Sequence, residues 1–312
     1  MPHPTFSRLL SPIALALTLA LGACSTTSSI SSTPAPVRID VAPLSSSRYA
    51  AIVVDANSGR MLYSQNEGEA RFPASMTKMM TLYLLFEQME NGRITKNTII
   101  PVSANARSRP PTKIGFRPGE GIDVDSAIKA LVTRSANDVA TAIGEFLGGT
   151  EDQFGNLMTG RAHAIGMRNT RFRNASGLPD PLQTTTAKDM ATLAITLRRR
   201  FPQYYNYFSV TEFPYRGKTI RGHNRLIGGV QGVDGIKTGY IRASGYNVAT
   251  SVVRGNRKLV VVVMGADSGV QRNAHVAELI EAALPSPGSA SSGLPGSLAV
   301  LDPGAMPGVI AQ

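Results

Sequence analysis

Residues 72–90, F-P-A-S-M-T-K-M-M-T-L-Y-L-L-F-E-Q-M-E, read as a helix that begins just after Pro73 and is apolar on nearly every side. A helix of that kind is buried all round. It nevertheless carries Lys78, three residues after Ser75 and on the same face. An amine there is costly to bury unless it finds a partner or gives up its proton. A serine hydroxyl, for its part, is a poor nucleophile until a base takes its proton. Desolvation pushes a lysine down from its ordinary pKa of about 10.4, so Lys78 is placed to be that base. The helix start adds free backbone N–H groups and a positive dipole end that favour a developing anion. Spacing alone is not distinctive: Ser126 and Lys129 form a second S-x-x-K, but on an ordinary amphipathic helix where a solvated lysine is expected.

Outward from that helix, residues 49–64 show two β-rich runs around Asn57-Ser58-Gly59, a hairpin signal. Near the other end, S-G-Y-N-V-A-T-S-V-V and K-L-V-V-V-V-M flank R-G-N-R (254–257), a second hairpin, and D-G-I-K-T-G-Y (234–240) precedes it as a short strand ending in K-T-G. Between these ends, apolar residues recur every three or four positions from Asp125, from Asp138, over 154–167 and from Ala187. Two early strands, a helical middle and three late strands predict an α/β (α+β) domain. Its antiparallel sheet of about five strands is closed by both chain ends and flanked by helices, with a helical subdomain inserted.

That domain is expected over residues 49–284 of the 312. Residues 1–23 join a basic start, an apolar run and a small-residue cleavage site, as in an export signal. The single cysteine, Cys24, closes L-G-A-C, which resembles the lipobox at which bacterial lipoproteins are cut and acylated. The protein is therefore expected in the periplasm or cell envelope, held by a lipid on Cys24. A single cysteine excludes a disulfide framework. Residues 24–48 are rich in Ser, Thr and Pro and are expected to be a flexible tether, and 285–312 a disordered tail. The net charge of +11 does not imply nucleic acid, because the only dense run, Arg198-Arg199-Arg200, closes a helix where cations suit the dipole. An anionic envelope polymer fits the charge better. His3, His163, His223 and His275 lack metal-ligand spacing, so no metal or other cofactor is expected.

S-A-N-D (135–138) lies between helices and, alone, is an ordinary cap; K-T-G (237–239), alone, is an ordinary turn. In the order S-x-x-K, S-x-N, K-T-G, behind an export signal, they form the set of penicillin-binding proteins and class A β-lactamases. With F-R-N-A-S-G-L-P-D, G-H-N-R-L and V-D-G-I-K-T-G-Y, the chain resembles the low-molecular-weight penicillin-binding proteins that act as D-alanyl-D-alanine carboxypeptidases, over nearly all of 49–284.

The resemblance implies a penicillin-binding/β-lactamase-like transpeptidase fold and peptidoglycan stem peptides as substrate, with β-lactams as covalent inhibitors. Ser75 would attack the terminal D-Ala-D-Ala bond with Lys78 as base, and Ser135 would relay a proton to the leaving amine. Asn137 would hold Lys78 and the substrate amide. Lys237 and Thr238 would face the substrate carboxylate, with Gly239 leaving room for the substrate beside the strand, and Arg225 and Arg272 would bind that carboxylate. The backbone N–H groups of Ser75 and Tyr240 would form the oxyanion hole. Three rival readings stay open: a DD-endopeptidase, a peptidoglycan-binding lipoprotein without turnover, and a class A-like β-lactamase. Against the last, no Glu lies between Glu151 and Glu212 to deacylate.

Overall fold

The structure is a computed structural model that describes residues 39–284. The expected signal segment, Cys24, most of the tether and the 285–312 tail lie outside the described residues. Both expected hairpins form: β1 (Ala50–Asp55) with β2 (Met61–Gln65), and β8 (Gly245–Arg254) with β9 (Arg257–Ala266). With β7 (Val233–Ile241) they make one five-stranded antiparallel sheet in the order β2-β1-β9-β8-β7. The first and last thirds of the chain meet at β1 and β9, where Ile52 opposes Val262. Both central strands are buried on two faces. Ala50, Ile52, Val54, Val260 and Val262 pack into one core, while Ala51, Val53, Leu259, Val261 and Val263 pack into the other, as the two-residue period of a strand requires.

α7 (Gly269–Ala283) covers the second core; α6 (Ala187–Arg200) and α1 (Lys78–Glu90) cover the first. α1 is apolar all round because it lies between α6 and the inserted helices α3 (Val124–Val132), α4 (Asn137–Gly148) and α5 (Glu151–Ala164). Its one buried carboxylate, Glu87, is matched by Arg161 at 3.0 Å and Arg200 at 2.5 Å. α5 starts three residues before the predicted 154–167 segment, because the Thr150 side chain accepts from Gln153 N and caps it there. A short helix, α2 (Ala104–Ser108), was not anticipated; five residues are too few to show a period.

Residues 39–48 are no tether: Ile39 is buried with Val41 and Leu44 against the second core, Ile39 N donates to Leu62 O, and Arg48 pairs with Asp267 at 3.0 Å. K-T-G does not end a short strand but sits inside the nine-residue β7. Its glycines and lysine give little strand signal, and pairing along most of β8 supplies what propensity does not. The Arg198-Arg199-Arg200 run is tied to its neighbours although Arg199 and Arg200 stay exposed: Arg198 pairs with Asp234 and stacks on Tyr205, and Arg199 donates to Ala56 O. Lys129 of the second S-x-x-K pairs with Asp125 at 2.5 Å, an ordinary helix-surface contact.

Candidate active site

Ser75 sits on a 3-10 turn, Ala74–Thr77, that leads straight into α1. Ala74 is held at φ +49°, a left-handed conformation that non-glycine residues seldom adopt, and this turns the serine out of the helix end. Two glycines hold the turn from opposite sides. A Cβ on Gly177 (φ +84°) would lie 1.9 Å from Ala74 O, and one on Gly239 would lie 3.0 Å from Ser75 N and 3.1 Å from Pro73 O. Gly239 therefore makes room for the nucleophile's own backbone, where room for the substrate was expected. From β8, the Asn247 side chain completes the frame: its Nδ2 donates to Phe72 O at 2.9 Å and its Oδ1 accepts from Gly265 N at 2.9 Å.

Lys78 is wholly buried one turn along. Its Nζ lies 2.8 Å from Asn137 Oδ1, 2.5 Å from Ser176 O and 3.2 Å from Ser75 Oγ. Burial, and then the charge of Lys237, hold its pKa well below the ordinary lysine value, against an opposing pull from Asp138 and Glu151. A neutral amine has two N–H groups and one lone pair. The two acceptors take both hydrogens, which leaves the lone pair directed at the serine hydroxyl. Ser176 O was not foreseen, because a backbone carbonyl leaves no residue-type signature. The visible clue was N-A-S-G: Asn174 Oδ1 accepts from the N–H groups of Ser176 and Gly177 and forms the turn that presents that carbonyl.

Ser135 and Asn137 stand at the start of α4, across the cleft. Asn137 also donates from Nδ2 to Pro110 O at 3.0 Å, and its N–H bonds Thr112 O at 2.7 Å. Asp138, the last residue of S-A-N-D, is fully buried and accepts from the N–H groups of Ile114 and Gly115, so it pins the same loop. Ser135 is at φ +59°, and its buried hydroxyl has no partner within the protein. An orphaned hydroxyl in a strained residue beside a reactive pair is a group awaiting a ligand.

The opposite wall is β7, the edge strand. Thr238, Gly239 and Tyr240 line the cleft, with Ser75, Ser135 and Asn137 facing them across a cavity of about 620 Å3. Lys237 lies beneath, 2 % exposed, its Nζ donating to Thr238 O at 2.8 Å. Burial, reinforced by Arg272, lowers its pKa to about 7. Arg272 was as readily read as a solvated helix-start residue; it is instead 6 % exposed, fixed by Asn247 O at 3.1 Å and Asn273 Oδ1 at 2.7 Å, and it lines the cleft. Arg225 and His223 line it too, both exposed as residues although the His223 ring is partly desolvated. No carboxylate does, among the described residues. All the expected site residues therefore meet at one place except Cys24, which lies outside the described residues.

Lys237 carries a stability prediction. Between about pH 7 and its ordinary value of 10.5, the unfolded chain holds a proton that the folded one has released. Stability therefore rises with pH across that window, and at pH 6 the buried charge costs on the order of 4 kcal/mol. Lys237→Met is expected to raise Tm at pH 6 by roughly 8–16 °C and to flatten Tm between pH 7 and 10, as read by calorimetry across pH.

The family model that matches the chain describes D-alanyl-D-alanine carboxypeptidases and covers residues 38–268. The D-alanyl-D-alanine carboxypeptidase DacF of Bacillus subtilis is 34 % identical over 242 residues, 74 % of this chain and 60 % of that relative. The chain thus spans well under two thirds of that relative's length. Among solved structures, the D-alanyl-D-alanine carboxypeptidase DacD of Francisella tularensis superposes with a TM-score of 0.75 at 27 % identity, covering 80 % of this chain and 73 % of that one. Penicillin-binding protein D2 of Listeria monocytogenes in its ampicillin-bound form superposes at 0.69 with 27 % identity, covering 75 % and 96 % respectively.

Proposed function

The chain belongs to the D-alanyl-D-alanine carboxypeptidase family, and from that footing we propose that it removes the terminal D-alanine from peptidoglycan stem peptides through an acyl-enzyme on Ser75. One observation carries the reading: Lys78 Nζ lies within hydrogen-bond reach of Asn137 Oδ1, Ser176 O and Ser75 Oγ, so a neutral amine can give its two hydrogens to the first two and turn its lone pair to the serine. In the first step the Ser75 proton passes to Lys78, Oγ bonds to the penultimate carbonyl carbon, and the oxyanion rests at the N–H groups of Ser75 and Tyr240. The C–N bond then breaks and the leaving amine takes a proton through the Ser135 hydroxyl. Water then bonds to the acyl carbon as its proton passes to Lys78, the C–Oγ bond breaks, Lys78 returns the proton to Ser75 Oγ, and the shortened peptide leaves.

Substrate carboxylate binding follows from charge. Lys237, Arg225 and Arg272 bring three basic groups to a cleft whose lining has no described carboxylate. A free C-terminal carboxylate favours the charged form of Lys237 against the burial that lowers its pKa to about 7, and the planar fork of Arg272 suits it. β-Lactams, which carry a comparable carboxylate beside a reactive carbonyl, are expected to acylate the same serine, in keeping with the ampicillin-bound neighbour. The export signal and the lipid on Cys24 belong to the same proposal: they would place the enzyme beside its polymer, and a Cys24→Ser protein should take up no labelled fatty acid.

Incubation with purified muropeptides tests the activity. Pentapeptide monomers should yield tetrapeptides and free D-alanine. Monomers released from crosslinked dimers with no free D-alanine would make the protein a DD-endopeptidase, and unchanged substrates would leave only a binding role.

A further inference from the structure

Beside the cleft runs a second groove, of about 560 Å3, into which Lys113, Arg134, Lys218 and Arg221 project and which no carboxylate lines. These cations are poorly matched. Arg221 shares one exposed pair with Glu212 at 3.3 Å, Lys113 reaches only the Arg107 carbonyl at 3.4 Å, and neither Arg134 nor Lys218 has an acidic partner among the described residues. The contrast with Arg198 and Arg199, which also line a surface hollow, is direct, since those two are tied to Asp234 and to Ala56 O. Gathering unpaired like charges in one concavity works against folding and focuses a positive potential where they meet.

The groove is lined by chain neighbours of residues that line the candidate active site. Arg134 immediately precedes Ser135, Lys113 immediately follows Thr112, and Arg221 leads through Gly222 to His223 and Arg225, while Ser135, Thr112, His223 and Arg225 line the cleft. The His223 imidazole is held below its ordinary pKa by burial and then by Lys237, Arg134 and Arg225, so charges of the groove and of the cleft act on one ring. Lys218 and Arg221 come from a two-stranded hairpin, β5 (Glu212–Tyr215) and β6 (Lys218–Arg221), which is tied to the opposite loop where Arg216 meets Glu120 at 2.9 Å.

We propose that this groove is an anion subsite that extends the cleft and takes carboxylates carried by the peptide upstream of its scissile bond, so that the enzyme selects acidic peptide chains over neutral ones. The inference rests on the peptidase reading above. Separate side-chain charges strung from three segments suit separate carboxylates along a chain.

The test uses two synthetic peptides that end in D-alanyl-D-alanine and differ only in glutamate or glutamine at two upstream positions. KM is expected to be about tenfold lower for the glutamate peptide at low ionic strength, with the gap closing as salt screens it. In an Arg134→Gln/Lys218→Gln double variant the ratio should fall to within about twofold, while kcat and the rate of benzylpenicillin acylation hold. Equal KM values in the parent, or a ratio that survives in the double variant, overturn the subsite. Fluorescence anisotropy of the same peptides on the Ser75→Ala protein separates the two claims. If neither peptide is cleaved by the parent yet the glutamate peptide binds more tightly, the peptidase reading fails and the groove stands. Equal binding of the two peptides removes the groove.

Discussion

Lys78→Met is expected to lower the acylation rate of Ser75 by about 10^3-fold while leaving the protein folded, because a general base within hydrogen-bond reach contributes two to four orders of magnitude. Methionine nearly matches the volume of the buried lysine stem but has no lone pair positioned to take the Ser75 proton. Two effects on stability oppose one another. Asn137 Oδ1 and Ser176 O each lose a donor, at about 1–3 kcal/mol apiece, while the desolvation that holds the Lys78 pKa down is relieved. Tm should therefore move by no more than about 5 °C. Stopped-flow acylation with a chromogenic cephalosporin reads the rate, and circular dichroism reads the fold. Acylation within tenfold of the parent would mean that another group accepts the proton.

Gly177→Ala is the second large effect, and it reaches the nucleophile without touching its chemistry. The added Cβ would stand 1.9 Å from Ala74 O, 2.4 Å from Ala74 C and 2.9 Å from Ser75 N, all backbone atoms with no rotamer to yield. The residue also sits at φ +84°, which costs an L-residue about 1–2 kcal/mol before any clash. Either the domain loses several kcal/mol, or the Ser75 turn shifts and acylation falls by about 100-fold, since a 1 Å misplacement is worth that much. Gly160→Ala is the matched control: its Cβ meets nothing within 4 Å on exposed helix α5, and it should stabilise by about 0.5–1 kcal/mol with activity unchanged. Urea melts and acylation rates of the two variants, read together, separate a damaged site from a damaged fold.

Much of this was legible in the chain itself, for physical reasons. Asn57-Ser58-Gly59 and the R-G-N-R turn mark hairpins because strands must be reversed by residues that tolerate tight backbone angles, and both hairpins form. The apolar segment 72–90 had to be buried, and it is, although its α-helix begins only at Lys78, after the 3-10 turn Ala74–Thr77. Ser75 and Lys78 stood out by residue type and burial, Ser135 and Asn137 only through the resemblance of three motifs in order to a known set, and the fold brings the four together. What escaped has no residue-type signature. Ser176 acts through its carbonyl, Gly177 and Gly239 through the absence of a side chain, and Asn247 through bonds to the backbone on both sides of it. Arg272 was as readily read as solvated, because a guanidinium four residues into a helix looks the same whether it faces water or Asn247 O. Residues 39–48 were read as a tether from composition, although Ile39, Val41 and Leu44 are enough to dock the segment on the sheet's second core.

The central claim is that Ser75 is the nucleophile, activated by a neutral Lys78. The most direct measurement is mass spectrometry of the full protein after incubation with benzylpenicillin, followed by peptide mapping of any adduct. The expected result is one penicilloyl group per chain on the peptide that contains Ser75, and none on the Ser75→Ala protein. An adduct on another residue, or an unmodified protein beside intact drug, would contradict the claim; an unmodified protein beside hydrolysed drug would make it a β-lactamase.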